Sequence, residues 1–156
     1  VVRYSAEGEV REINRIILHC SATPQGANFT AADIRSWHLA RGWSDIGYHY
    51  VIGIDGTVES GRCISKQGAH TKGHNKDSIG ICYIGGVDSD RNPKNTLTWD
   101  QRVSIKQLCR ALRRTLNKPL YLHGHNEYST KACPSFAVAD EFDRLQRWLA
   151  SSGQIF

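Results

Sequence analysis

Residues 15–20 read Arg-Ile-Ile-Leu-His-Cys, three branched aliphatic residues running directly into a histidine and a cysteine. So short an apolar run, without helical spacing, is a buried strand. Its last residues, His19 and Cys20, then emerge at a sheet edge, and open α/β sheets bind their ligands at such strand ends. Taken alone, His19 is equally a ligand and a satisfied core histidine. Working outward, Ser78 to Ile84 (SIGICYI) is a second apolar run, read as a central strand, and Leu120 to Leu122 is a further one. Tyr48 to Ile54 and Thr57 to Gly61 flank Asp55-Gly56, a hairpin signal.

Helical segments fall between these runs. Thr30-Ala-Ala-Asp33 forms a capping box that opens a helix ending near Arg41-Gly42. Thr98-Trp-Asp-Gln101 opens another, running to about Leu116, with Val103, Ile105, Leu108, Cys109, Leu112 and Leu116 toward a core. Phe136 to Leu149 reads as one last amphipathic helix, and residues 65–76, 87–96 and 123–134 as loops. Interleaved strands and helices, with no repeat or linker, predict a single α/β domain: a central mixed sheet flanked by helices, with a cleft at the strand ends.

The 156 residues favour one domain, and no apolar run spans a bilayer. A net charge of +5 and a pI near 9.1 favour an anionic partner, whether nucleic acid, membrane surface or cell-wall polymer. Arg102, Lys106, Arg110, Arg113, Arg114 and Lys118 form a basic stripe at near-helical spacing. It reads as a solvated helix face or as a dock for an anionic envelope surface. No stacking ladder or recognition-helix pattern supports sequence-specific DNA binding. Five scattered cysteines, an odd number without a CxxC, argue for reduced thiols. The first 20 residues show no secretory h-region, so synthesis in a cytoplasm is expected.

The stretch from His123 to Pro134 is the richest in chemistry, with two histidines, a glutamate, a lysine and a cysteine. His125 and Cys133, eight apart on one loop, can turn onto the same ion, and His19 supplies a third ligand. Three protein ligands leave the open position of a catalytic zinc, whereas structural zinc is closed by four. Imidazole and thiolate together select zinc over magnesium or calcium. His38, inside a helix, reads as a packing residue.

Six motifs follow in order: Ile17-Leu-His-Cys-Ser-Ala-Thr23, Gly42-Trp-Ser-Asp-Ile-Gly-Tyr-His-Tyr-Val51, Asp55-Gly-Thr-Val-Glu59, Gly68-Ala-His70, Ser78-Ile-Gly-Ile81 and Lys131-Ala-Cys-Pro-Ser135. Over residues 13–149 the chain thereby resembles the zinc-dependent N-acetylmuramoyl-L-alanine amidases of the type-two amidase and peptidoglycan-recognition-protein superfamily. The resemblance implies an N-terminal segment, residues 1–12, ahead of a zinc amidase domain at 13–150. It implies that His19, His125 and Cys133 hold one zinc ion. Tyr48 and Lys131 match the family's active-site tyrosine and lysine, and His70 borders the peptide groove as a substrate-binding residue. His123 is left as a loop residue, and Trp43 is expected in the core.

The implied reaction cleaves peptidoglycan between N-acetylmuramic acid and L-alanine. Many relatives carry a glutamate base where this chain has Cys82, which leaves Glu127 and His49 as the nearby proton carriers. The implied setting is a monomeric phage or prophage endolysin, made in the host cytoplasm and acting on the wall after release. A non-catalytic peptidoglycan binder is the alternative. One phage member of the family also inhibits an RNA polymerase, partly through its N-terminal segment, so residues 1–14 carry that expectation here.

Overall fold

In the computed structural model, which describes residues 11–152, the chain runs β1 (Arg15–Cys20), β2 (Thr23–Pro24), α1 (Ala31–Ala40), β3 (Tyr50–Ile52), β4 (Val58–Ser60) and β5 (Ser78–Tyr83). It continues as β6 (Gly86–Val87), α2 (Trp99–Leu116), β7 (Tyr121–Gly124), a 3-10 turn at His125–Glu127, α3 (Val138–Glu141) and α4 (Asp143–Ala150). The main sheet has the order β4-β3-β5-β1-β7, with only the β3–β4 hairpin antiparallel. β2 and β6 form a small parallel pair beside it.

Strand periodicity divides the core between the two faces of this sheet. Ile16, Leu18 and Cys20 of β1, with Ile79, Ile81 and Tyr83 of β5, pack under α2 and α4. The alternate residues, Cys82 of β5 and Val51 of β3, join Ile34 of α1 and Ile46 on the opposite face. His19, alternating with Leu18 and Cys20, is on that second face, away from α2 and α4. β1 is parallel to both β5 and β7, so the carboxyl ends of all three strands meet at one edge.

Both expected capping boxes form, at Thr30 with Asp33 and at Thr98 with Gln101. The second also fastens α2 to the sheet. The Thr98 hydroxyl donates to the Ile54 carbonyl at 2.8 Å, and the fully buried Gln101 amide donates to Ile84 and Ile52 carbonyls at 3.0 and 3.4 Å.

Three expectations need correction. The last helix is not continuous over 136–149. Phe142 leaves helical geometry (φ −129°, ψ 34°) while burying its ring in the core, which separates α3 from α4. The strand expected at Leu120–Leu122 continues to Gly124, because β1 pairs with it through Leu18–Gly124. The basic stripe is not one free face. Arg102 pairs with Glu141, Arg113 is buried and donates to the Ser151 carbonyl, Arg114 stacks on Trp148, and Lys118 meets Glu12 and Asn14.

Most of the N-terminal segment at 1–12 lies outside the described residues, and with it most of the expected polymerase contact. The described part makes internal contacts: Arg11 donates to the carbonyls of Ile64, Asn75, Lys76 and Ser78. All five cysteines are free thiols.

Candidate active site

His19 sits near the carboxyl end of β1, and the β1–β7 register places Leu18 opposite Gly124, so His125 follows beside it. The two imidazoles lie 4.7 Å apart between centroids. Cys133 arrives on the loop after the 3-10 turn. That loop is pinned by three contacts: the Tyr83 hydroxyl donates to the Pro134 carbonyl at 2.7 Å, Ser135 donates to the Gly86 carbonyl at 2.7 Å, and Asn126 donates to the Phe136 carbonyl at 3.1 Å. Cys133 Sγ accepts the Cys20 backbone N–H at 3.2 Å and lies 3.7 Å from His19 Nδ1. One ligand atom from each of His19, His125 and Cys133 falls within 4.8 Å of the other two.

The electrostatics suit a cation. Burial holds the buried His19 well below the usual imidazole range, with His70, His125 and Lys131 adding to the effect. Burial and Lys131 lower His125 in the same direction. Both rings are therefore neutral and carry a lone pair. The hydrogen-bonded Cys20 thiol and burial push the Cys133 thiol up, so it keeps its proton until a metal takes the proton's place.

Lys131 stands beside this triad, close enough to depress both histidines. The Tyr48 ring is 5.1 Å from His19 and 5.6 Å from His38. Burial pushes its hydroxyl well above the usual tyrosine range, so it remains a proton donor. A cleft of about 500 Å³ opens at His125 and Lys131 and is bordered by Trp43, His70, Lys72 and Tyr128. No aspartate or glutamate lines it among the described residues.

The remaining expectations sort by geometry. Trp43 borders the cleft instead of the core, since His38 holds the space beneath it at 4.4 Å. His38 is the packing residue expected, its Nδ1 accepting the Gly47 N–H at 2.9 Å. Glu127 is engaged with His123 at 2.9 Å and with the Gly124 N–H at 2.6 Å. His49 is buried between the Gly80 N–H and the Lys66 carbonyl. Neither is a free proton carrier. His70 borders the cleft as expected, yet its Nδ1 lies 2.8 Å from His19 Nε2. Thr71 and Ser78 complete this contact; the sequence marked Ser78 only as the start of a strand motif, and nothing there marks Thr71.

Residues 9–136 match a family described as N-acetylmuramoyl-L-alanine amidase. The endolysin of Escherichia phage T7 is 41% identical over 133 residues, 85% of this chain and 83% of that protein. The endolysin of Klebsiella phage KP32 is 38% identical over 138 residues, 88% of this chain and 86% of that protein. Among solved structures, the N-acetylmuramoyl-L-alanine amidase LysC from Clostridium intestinale URNW superposes with a TM-score of 0.75 at 30% identity, over 92% of this chain and 94% of that one.

Proposed function

The chain belongs to the N-acetylmuramoyl-L-alanine amidase family, and from that membership we propose that it is a zinc-dependent endolysin. It is a peptidoglycan hydrolase that cuts the amide between N-acetylmuramic acid and the L-alanine of the stem peptide. The observation that carries the zinc reading is the convergence of two neutral imidazoles and a thiol within 4.8 Å at the ends of parallel strands. Three such donors leave the open coordination of a catalytic site.

His19, His125 and Cys133 would hold the zinc ion, which would supply Lewis-acid chemistry for the amide carbonyl and for an attacking water. Lys131 directs its ammonium at the oxygen of that carbonyl as charge develops on it. Tyr48, held protonated by burial, donates a hydrogen bond to the same oxygen or a proton to the leaving amine. Lys72 and Lys131 give the cleft a positive lining without an opposing carboxylate, which suits the acidic stem peptide. Trp43 and Tyr128 offer flat apolar walls to the same substrate.

No helix among the described residues is long and apolar enough to cross a membrane. Action on the wall after release from the host cytoplasm, as a monomer, fits this reading. The test is mass spectrometry of purified peptidoglycan after incubation with the protein, with and without a zinc chelator. Stem peptides should be freed from intact glycan strands, and the chelator should stop their release. Cys133→Ser should lose at least about 100-fold in rate, since removal of even an outer partner of a metal ligand costs about 10- to 100-fold. Recovery of uncut peptidoglycan from folded, zinc-loaded protein would instead put the non-catalytic binding or regulatory reading in the lead.

A further inference from the structure

A row of hydrogen bonds runs along the second face of the sheet, from the amino end of β5 to His19. It begins at the His74 carbonyl, which can only accept. The Ser78 hydroxyl donates to it at 2.7 Å and so spends its single proton there. Ser78 Oγ also lies 3.3 Å from His70 Nε2, and with its own proton committed it must accept from that nitrogen. A neutral imidazole has one proton, and no carboxylate among the described residues bonds the His70 ring to support a second. His70 Nδ1 is therefore bare. It lies 2.8 Å from His19 Nε2 and accepts that N–H, since two bare nitrogens at this distance would repel; the Thr71 hydroxyl, 3.0 Å from His70 Nδ1 and 3.2 Å from His19 Nε2, borders the same contact. His19 is then protonated on Nε2, and its bare Nδ1 is the atom 3.7 Å from Cys133 Sγ.

We infer that His70 and Ser78 are positioning residues for the metal site, a relay that holds His19 in the tautomer whose Nδ1 is free to ligate. This rests on the zinc reading above. The relay is built rigidly. A Cβ at Gly80 would stand 2.6 Å from His70 Cδ2, and one at Gly68 2.7 Å from the same atom, so the imidazole is clamped between two glycines. Asn75 Oδ1 accepts the backbone N–H groups of both His70 and Thr71 at 2.9 Å. Ser78 is fully buried opposite Arg15, four residues from His19 along the register, and does not line the cleft. It acts on the metal only through His70.

The experiment measures zinc affinity by chelator competition on the full chain, for wild type, Ser78→Ala, His70→Leu and His70→Asn. Loss of an outer hydrogen-bond partner costs about 10- to 100-fold in metal affinity, and that is expected for Ser78→Ala and His70→Leu. His70→Asn, which keeps an acceptor oxygen near the Nδ1 position, should recover most of the loss. Urea unfolding of each zinc-loaded protein separates this effect from misfolding. Independently of any variant, nitrogen-15 NMR of zinc-loaded wild type should show His70 protonated on Nε2 and bare on Nδ1. The opposite tautomer, or zinc affinities for Ser78→Ala and His70→Leu within twofold of wild type, would overturn the relay. Wild-type protein that takes up no zinc overturns the zinc reading itself, a result distinct from tight binding that the variants leave unchanged.

Discussion

Gly80 is a glycine because an imidazole occupies the place where its side chain would stand. Three His70 ring atoms would lie 2.6 to 2.9 Å from a Cβ there, so Gly80→Ala must displace the ring. Overpacking of this kind costs about 1–3 kcal/mol, readable by urea denaturation, and zinc affinity should fall together with stability. His49 gives a second test. Burial, with Arg11 and Arg62 nearby, lowers it to about 4 against 6.5 for an unperturbed imidazole, despite its bond to the Lys66 carbonyl; His70 is the other titratable group facing it. Between those pH values the unfolded chain binds the proton and the folded one does not. Its contribution is therefore intact above pH 6.5 and lost as pH falls toward about 4, by about 3 kcal/mol. Urea melts across that range should show a shallower slope for His49→Gln than for wild type. Of these residues, His19, His125 and Cys133 were picked out as a set by the family resemblance rather than by their spacing, and the structure brings their ligand atoms within 4.8 Å of one another. The partner of His70 was not legible in the sequence, since it depends on a strand register that sets Ser78 opposite Arg15.

Among the elements, α2 shows where local signals suffice and where they stop. Its capping box was readable from Thr98 and Gln101, and the structure adds that both side chains also bind carbonyls at the ends of β3 and β5. Thr98→Ala should cost about 1–2 kcal/mol, the upper part of the range for a lost cap, because the bond to Ile54 goes with it. A thermal melt checks this, with amidase rate per folded molecule unchanged. The basic spacing along the same helix was equally plain, but spacing does not reveal partners. Glu141, Trp148 and Ser151 come from the other end of the chain and occupy Arg102, Arg114 and Arg113. The break between α3 and α4 escaped notice for a similar reason: the apolar periodicity continues through Phe142, and only the tertiary site for its ring requires the departure.

For the whole molecule, a ligand that binds only the folded state stabilises it by about 2.7 kcal/mol at a hundredfold excess over Kd. Chelation should therefore lower the midpoint of thermal unfolding by several degrees, and zinc in excess should restore it. The positive cleft predicts a separate effect: Lys72→Glu, at an exposed position, should raise KM for peptidoglycan about tenfold with little change in kcat, as expected of uniform binding. Both depend on the parallel arrangement that gathers the site at the carboxyl edge. At the amino edge, Asn14 accepts from Tyr121, and Leu149 near the end of α4 accepts from Leu120. Both contacts bear on Leu120 and Tyr121, at the start of the strand that leads to His125. Both ends of the described chain are thus clasped to one strand, so fraying at Asn14 or Leu149 would slacken the strand that delivers His125, and local opening at the rear of the sheet would be felt at the site.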